Sequence, residues 1–319
     1  MTERKNGARR AREAPDRPKD PPLRQPLDLR AMLCVLMLCV IWGAQQVVMK
    51  GVSGDVAPVL QLSLRFAGSA VFFGILVAVT EGRRAFSDGT VPSGLLLGVM
   101  FTLEFLLIGQ AIVHTTAAHV VVFLYSAPIF TALGLQFLPE ERLGGLQWIG
   151  IGTAFLGIVV AFLGPGSRSV ADLIVGDLLA VGAGAAWGLS NVVLRRGRVG
   201  NAGTAKTVFY QVTTAAILLY AFASFTGQLR FVPSSNAIVG VLFQTVMISI
   251  VSYLVWFWLL RHYLTSRLML FSLMTPFFGV IFGAIFLHDQ IDLRFALGSV
   301  FVLGGILIVN SQMGRRRTA

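Results

Sequence analysis

Charge is what this 319-residue sequence has least of. Asp, Glu, Lys and Arg make up 13% of it, roughly half the share of a soluble domain. With hydrophobic residues at 55%, that excludes an ordinary cytosolic enzyme. Acidic residues are the scarcer sign, 15 against 26 Lys and Arg, for a net charge of +11. The excess is not placed as a nucleic-acid footprint. Nine of the Lys and Arg precede residue 31 and most others stand at the ends of apolar segments, the distribution that orients a membrane protein. Cysteine is nearly absent. Cys34 and Cys39 fall five positions apart in one apolar run, roughly 7.5 Å along a helix axis, too far for a disulfide, so both read as packing residues. Together with four scattered histidines they build no metal cluster. The chain also lacks a P-loop and an HExxH pair, and carries no Ser-His or paired-Asp set at membrane depth. ATP hydrolysis and membrane-embedded catalysis are therefore not expected, nor is any cofactor or metal.

What the sequence does have is long apolar runs, arranged twice. The stretch Thr115 to Phe162 is one apolar segment broken at Pro128, a short charged turn, and a second apolar segment. Each is close to the roughly 20 residues that cross a bilayer as a helix. The pattern returns 148 positions later, where Pro276 echoes Pro128, Asp289 echoes Glu141, Gly298 echoes Gly150 and Gly305 echoes Gly157. The opening helices repeat too: Ile41 to Lys50, IWGAQQVVMK, matches Ala186 to Arg195, AWGLSNVVLR, at an offset of 145.

Counting apolar segments predicts ten helices, at about 30–50, 56–80, 92–112, 116–138, 143–163, 173–195, 205–226, 236–260, 264–287 and 291–311. Residues 1–28 read as a disordered basic cytoplasmic tail, 29–164 and 173–311 as two five-helix units, and 312–319 as a second basic tail. With the amino terminus inside, twelve Lys and Arg fall in the inner short loops and carboxyl tail and four in the outer loops, so both termini are expected in the cytoplasm. Five helices per unit is odd, so the second unit must enter the membrane inverted. The fold class is therefore an all-α polytopic membrane protein with ten transmembrane helices in two inverted five-helix repeats. That arrangement belongs to transporters whose substrate site lies between the halves.

The two copies, from Phe105 to Val160 and from Tyr253 to Val309, resemble paired EamA domains of the drug/metabolite transporter superfamily. The Trp-Gly openings at Trp42 and Trp187 and the Arg65-Phe66 pair also fit. The resemblance covers about residues 30 to 311. It implies a ten-helix exporter of small metabolites, often amino acids, or of toxic compounds. The second copy departs from it at His288 to Gln290, where an acidic turn is usual.

Polar residues inside the apolar runs are the candidate site, because ionisable groups in a bilayer are costly and face a bundle interior or a watery cavity. Glu104 and Arg65 lie on the order of 12 Å below the outer edge. Glu104 is a candidate to bind a cation or carry a proton, and Arg65 to hold a substrate carboxylate; a structural ion pair between the two is the competing reading. Gln45 and Gln46 correspond to Ser190 and Asn191. Tyr125 and Ser126 precede Pro128, as Thr275 precedes Pro276. Tyr253 stands at mid-depth. These ten residues form the predicted substrate-binding set, with Pro128 and Pro276 as hinges. The pairs Gly94/Gly98, Gly184/Gly188 and Gly279/Gly283 read as close-packing surfaces. The histidines read as solvated near loops, and His119 is the one set a turn into an apolar run. The expected function is a secondary transporter in the cytoplasmic (inner) membrane, exporting a small metabolite such as an amino acid or related amphiphile. Its expected partners are that substrate, the lipid bilayer and protons, with no nucleic acid, and it would act as a monomer or homodimer. The alternative is a lipid or amphiphile flippase or a multidrug exporter.

Overall fold

A computed structural model describes residues 28–82, 85–135, 144–162, 170–196, 198–263, 268, 271–272 and 274–315. Among them the chain is helical and forms no strand; Val56 and Phe231 make an isolated antiparallel bridge. The turn at 139–142 and Ser167 of the 163–169 loop lie outside the described residues.

Helix starts follow local chemistry. Asp28 caps α1 (Leu29–Gly51), its carboxylate accepting from the Ala31 amide at 2.7 Å. Pro58 opens α2 (Pro58–Thr80) and Pro92 lies in the first turn of α3 (Val91–His114), positions where the missing N–H costs nothing. Thr116 caps α4 (Ala117–Leu124) by accepting from the His119 amide. Then come α5 (Ala127–Leu135), α6 (Gly145–Phe162), α7 (Val170–Arg196) and a 3-10 turn at Arg198–Asn201. After α8 (Thr204–Phe225), Ser234 caps α9 (Ser235–Phe243), which runs through a π-helical stretch, Gln244–Val251, into α10 (Ser252–His262). The last are α11 (Thr275–Leu287) and α12 (Leu293–Arg315).

Among the described residues, six helical spans are long and apolar enough to cross a membrane: Leu29–Gly51, Pro58–Thr80, Val91–His114, Asp172–Leu194, Thr204–Phe225 and Ser235–Trp256. Their outward faces carry Val71, Ile75, Val79, Ile217 and Val239, all exposed. A soluble surface does not gather such residues in bands, whereas lipid chains solvate them.

Two predicted helices differ in detail. The run predicted at 116–138 is interrupted at Tyr125 and Ser126, just ahead of Pro128. The imide at Pro128 cannot donate to the carbonyl four residues back, and Phe123 O instead accepts from the Ser126 amide and hydroxyl. The run predicted at 236–260 contains the π stretch, which periodicity does not reveal. The predicted 264–287 helix is described mainly from Thr275 onward, with Pro276 in the first turn of α11.

Contacts define two ends of the bundle. At the distal end, where α1 finishes, Lys50 Nζ donates to the carbonyls of Ile112 and Thr115 at the close of α3. Asp55 accepts from Ser234 there, and Gln61 Nε2 donates to Val56 O and Met49 O. At the proximal end, Tyr263 donates to Asp28 at 3.1 Å, and Lys206 of α8 donates to Asp88 at 2.6 Å. Lys206 is buried, and its bond holds the Asp88 carboxyl well below the usual carboxylate range.

The related glycines of the two copies meet crosswise. Gly150 lies against Gly305 O, and Gly157 against Gly298 O, so α6 and α12 pack backbone to backbone and antiparallel. A Cβ on Gly43 of α1 would come within 3.1 Å of Phe278 and Gly279 of α11. A Cβ on Gly188 of α7 would be as close to Ala127, Phe130 and Thr131 of α5. The Trp-Gly helix of each copy thus seats its glycine on the proline-led helix of the other. The three predicted close-packing pairs behave likewise: Gly94 and Gly98 sit under Tyr210 and Thr214, Gly184 on Ser126 and the Leu124 carbonyl, Gly279 on Val121 and Gly283 on Asp289.

Candidate functional site

Arg65 is the centre of the polar interior. It is 0% exposed, embedded in an aromatic cluster in which Phe66 lies 4.8 Å from Phe105 and 5.2 Å from Phe101, centroid to centroid. Its guanidinium carbon stands 4.6 Å from the centre of the Phe66 ring and 4.9 Å from that of Phe105, cation–π distances that offset part of the cost of burial. Its Nε donates to Ser249 Oγ at 2.8 Å. Both terminal nitrogens, Nη1 and Nη2, are buried without an acceptor at ordinary hydrogen-bond geometry, although the Tyr253 hydroxyl stands beside the guanidinium. A guanidinium is a five-donor fork shaped for a carboxylate or phosphate. Leaving two of its nitrogens unpaired in a dry interior costs free energy that a bound anion would restore.

Glu104 of α3 is 5% exposed and close enough to Arg65 to interact electrostatically. The two form no contact ion pair: none is present within 4.0 Å. Tyr253 is likewise close to Arg65. On the other side, the buried hydroxyl of Thr275 lies beside the Tyr125 and Cys39 side chains without a hydrogen bond of ordinary geometry to either. Tyr125 stacks edge-on against Trp187 at 5.6 Å. Of the predicted substrate-binding residues, Arg65, Glu104, Tyr253, Tyr125 and Thr275 are therefore linked in one region.

The others sit around or outside it. Gln46 is buried with its carbonyl oxygen unpartnered, and Gln45 is buried nearby on α1. Ser126 bonds back to Phe123 O and Ser190 to Trp187 O, each at 2.7 Å within its own turn. Asn191 is exposed and donates to Thr131 at 3.3 Å.

Sequence reading overlooked the residues that the π stretch supplies. A π turn carries an extra residue per turn and loosens the backbone, and such turns are frequent at functional sites. Here Ser249 reaches Arg65, Gln244 Nε2 donates to Gln61 Oε1 at 3.0 Å, and just beyond it Ser252 Oγ accepts from Trp42 Nε1 at 3.0 Å. Trp42 in turn packs edge-on against Trp256. The available signal was a run of polar residues, Gln244, Ser249 and Ser252, in an otherwise apolar segment. Asp177 carried the same signal on α7. At the distal end an open depression is lined by Lys50, Ser53, Pro58, Gln110, Gln228 and Arg230. Among the described residues, no group of three or more His, Cys, Asp or Glu could hold a metal ion.

The model of the EamA-like transporter family matches residues 29–163 and again 174–311. The chain belongs to the EamA-like transporter family. Relatives of this EamA-like transporter include an uncharacterized transporter, YoaV, of Bacillus subtilis, 22% identical over 91% of this chain and 99% of that protein. A probable amino-acid metabolite efflux pump of Escherichia coli is 26% identical over 86% of this chain and 92% of its own length. Its counterpart in Salmonella typhimurium is 26% identical over 89% and 96%. A solved crystal structure shares the fold at a TM-score of 0.62 and 18% identity, over 91% of this chain and 99% of that one. Family and relatives point to membrane transport of a small molecule rather than to an enzyme.

Proposed function

We propose that this EamA-like transporter is a secondary exporter of a small zwitterionic metabolite, an amino acid or a related amphiphile, across the cytoplasmic membrane. Its ten membrane helices form two inverted repeats, 29–164 and 173–311, between cytoplasmic tails 1–28 and 312–319. The crosswise meeting of related glycines supports the pseudo-two-fold relation, and the Lys and Arg bias supports termini inside. In this orientation the distal end faces outward.

The observation that carries the reading is Arg65, fully buried with two terminal nitrogens lacking an acceptor at ordinary hydrogen-bond geometry. In a transporter, such a fork is where a carboxylate docks. Glu104, within electrostatic reach but not in contact, is placed to meet the substrate's ammonium group or to carry a proton in its stead. Thr275, Tyr125, Tyr253 and Gln46 add uncharged donors and acceptors, and Pro128 and Pro276 mark the hinges. A multiply charged nucleotide would demand several fixed cations, whereas this region offers one. The relatives named as amino-acid metabolite efflux pumps agree with the substrate class.

The test is efflux of labelled amino acids from proteoliposomes, guided by metabolite profiling of medium from cells with and without the gene. Arg65→Gln should abolish transport of the carboxylate-bearing cargo while the purified protein keeps its monodisperse profile. Undiminished transport by that variant refutes the assignment. Equal transport with and without a proton gradient would remove protons from the mechanism.

A further inference from the structure

A second buried polar cluster lies at the distal end, away from Arg65, and substrate recognition does not account for it. Asp177 of α7 is 2% exposed. Its carboxylate meets His119 Nδ1 of α4 at 2.9 and 3.0 Å and accepts from Thr115 Oγ1 at 2.6 Å. The imidazole lies flat on Phe295 of α12, centroids 4.1 Å apart and planes 4° from parallel, with the edge of Phe123 on its other flank. Asp289, on the turn between α11 and α12, accepts from the Ala118 amide at 3.2 Å. Burial raises the Asp289 carboxyl above the usual range, while Lys50 and His119 pull it down. Further out, His114 faces Asp172 at 3.9 Å. His119 thus joins α4 to α7 and α12 while its neighbour Ala118 ties α4 to the α11–α12 turn, and among the described residues the ionisable groups nearby include Asp177, Asp289 and, further out, Lys50, His114 and Asp172.

We propose that His119 and Asp177 form a proton-binding site, separate from the Arg65 region, that latches the distal end of the bundle. With a proton bound, the imidazolium offsets the charge of the Asp177 carboxylate it touches, with Asp289 within electrostatic reach. Its flat stack on Phe295 holds the cation in an apolar seat. Without that proton the buried Asp177 carboxylate keeps only the hydrogen bond of a neutral ring, and the joint between α4 and α7 weakens. Histidine is the side chain suited to make this exchange near neutral pH. The seam it would hold is close-packed, with Gly176 and Gly184 of α7 directly against Thr115 and the Leu124 carbonyl. The transporter reading supplies the latch's purpose; the cluster itself stands on its geometry.

The experiment uses the purified full-length chain with Ala180→Cys, a buried α7 position between Gly176 and Gly184. Alkylation at that cysteine is followed by peptide mass, at about pH 5.5 and about pH 8.5, either side of the histidine range. Each rate is divided by the rate in the same protein carrying His119→Gln, which cancels the thiol's own pH dependence. At the acid pH the histidine protein should react about 10- to 100-fold more slowly, the worth of one charge-assisted hydrogen bond. At the alkaline pH the two should converge. Asp177→Asn, tested from the other side of the pair, should be reactive at both pH values. A rate ratio unchanged between the two pH values, for both variants, overturns the proposal. No cargo enters the assay, so a failed latch leaves the transport reading intact, and failed transport leaves the latch result standing.

Discussion

The crosswise seams give a quantitative test of how tightly the two copies are joined. Consider Gly43→Ala. Its new Cβ would stand 2.7 Å from Phe278 Cβ and 2.9 Å from Gly279 N, where ordinary contact is 3.4–4 Å. Restoring ordinary contact requires α1 and α11 to part by roughly 0.7–1.3 Å, since the obstacle is a Cβ and backbone rather than a flexible side-chain end. Overpacking of this kind costs about 1–3 kcal/mol. Alanine regains about 0.5–1 kcal/mol over glycine in a helix interior, leaving a net effect between about zero and a loss of about 2.5 kcal/mol. Gly152 of α6 is the matched control: it is also mid-helix, but a Cβ there meets nothing within 4 Å, so Gly152→Ala should be neutral or stabilising. Gly188→Ala, whose Cβ would stand 2.7 Å from Ala127 O, should behave like Gly43→Ala. The assay is the unfolding midpoint of each purified variant at one fixed heating rate, because membrane proteins of this size unfold irreversibly. Equal midpoints for Gly43→Ala and Gly152→Ala would refute the claim that these seams are close-packed.

Three further outcomes are expected. Ser249→Ala removes the acceptor of Arg65 Nε and should lower stability by about 1.5–3 kcal/mol, the range for bonds to charged groups, while Ser249→Thr restores most of it; equal midpoints for the two variants would contradict this. Asp88, held low by Lys206, contributes stability that is fully present above the ordinary carboxylate range and lost as pH falls from that range through the lowered value of the folded protein; Asp88→Asn should flatten the acid limb of a stability-against-pH curve, and an unchanged limb would contradict this. In intact cells a cysteine at Ser234 should react with an impermeant thiol reagent and one at Ala202 should not; the reverse pattern would invert the proposed orientation.

Much of the architecture was legible because lipid imposes a length and a polarity on every spanning segment. The helix starts at Pro58, Pro92, Thr116 and Ser234 are set by chemistry that reaches only one turn. The break at Tyr125 and Ser126 falls just ahead of Pro128, where an imide cannot donate. The π stretch was not legible: Gln244 to Val251 has the composition of any apolar helix, and its wider hydrogen-bond spacing was visible only in the structure.

The sequence by itself determined that the chain is a helical membrane protein and that its two halves are copies, because hydropathy and repeat spacing are properties of order along a chain. It also singled out Arg65 and Glu104 by the cost of charge among apolar neighbours. Tertiary structure decided that these two are neighbours without being a contact pair, that Ser249 and the Phe66 and Phe105 rings hold the guanidinium, and that Asp177 meets His119. Those contacts join residues up to 184 positions apart, and a hydrogen bond depends on a few tenths of an ångström and on angle. Spacing along the chain carries neither.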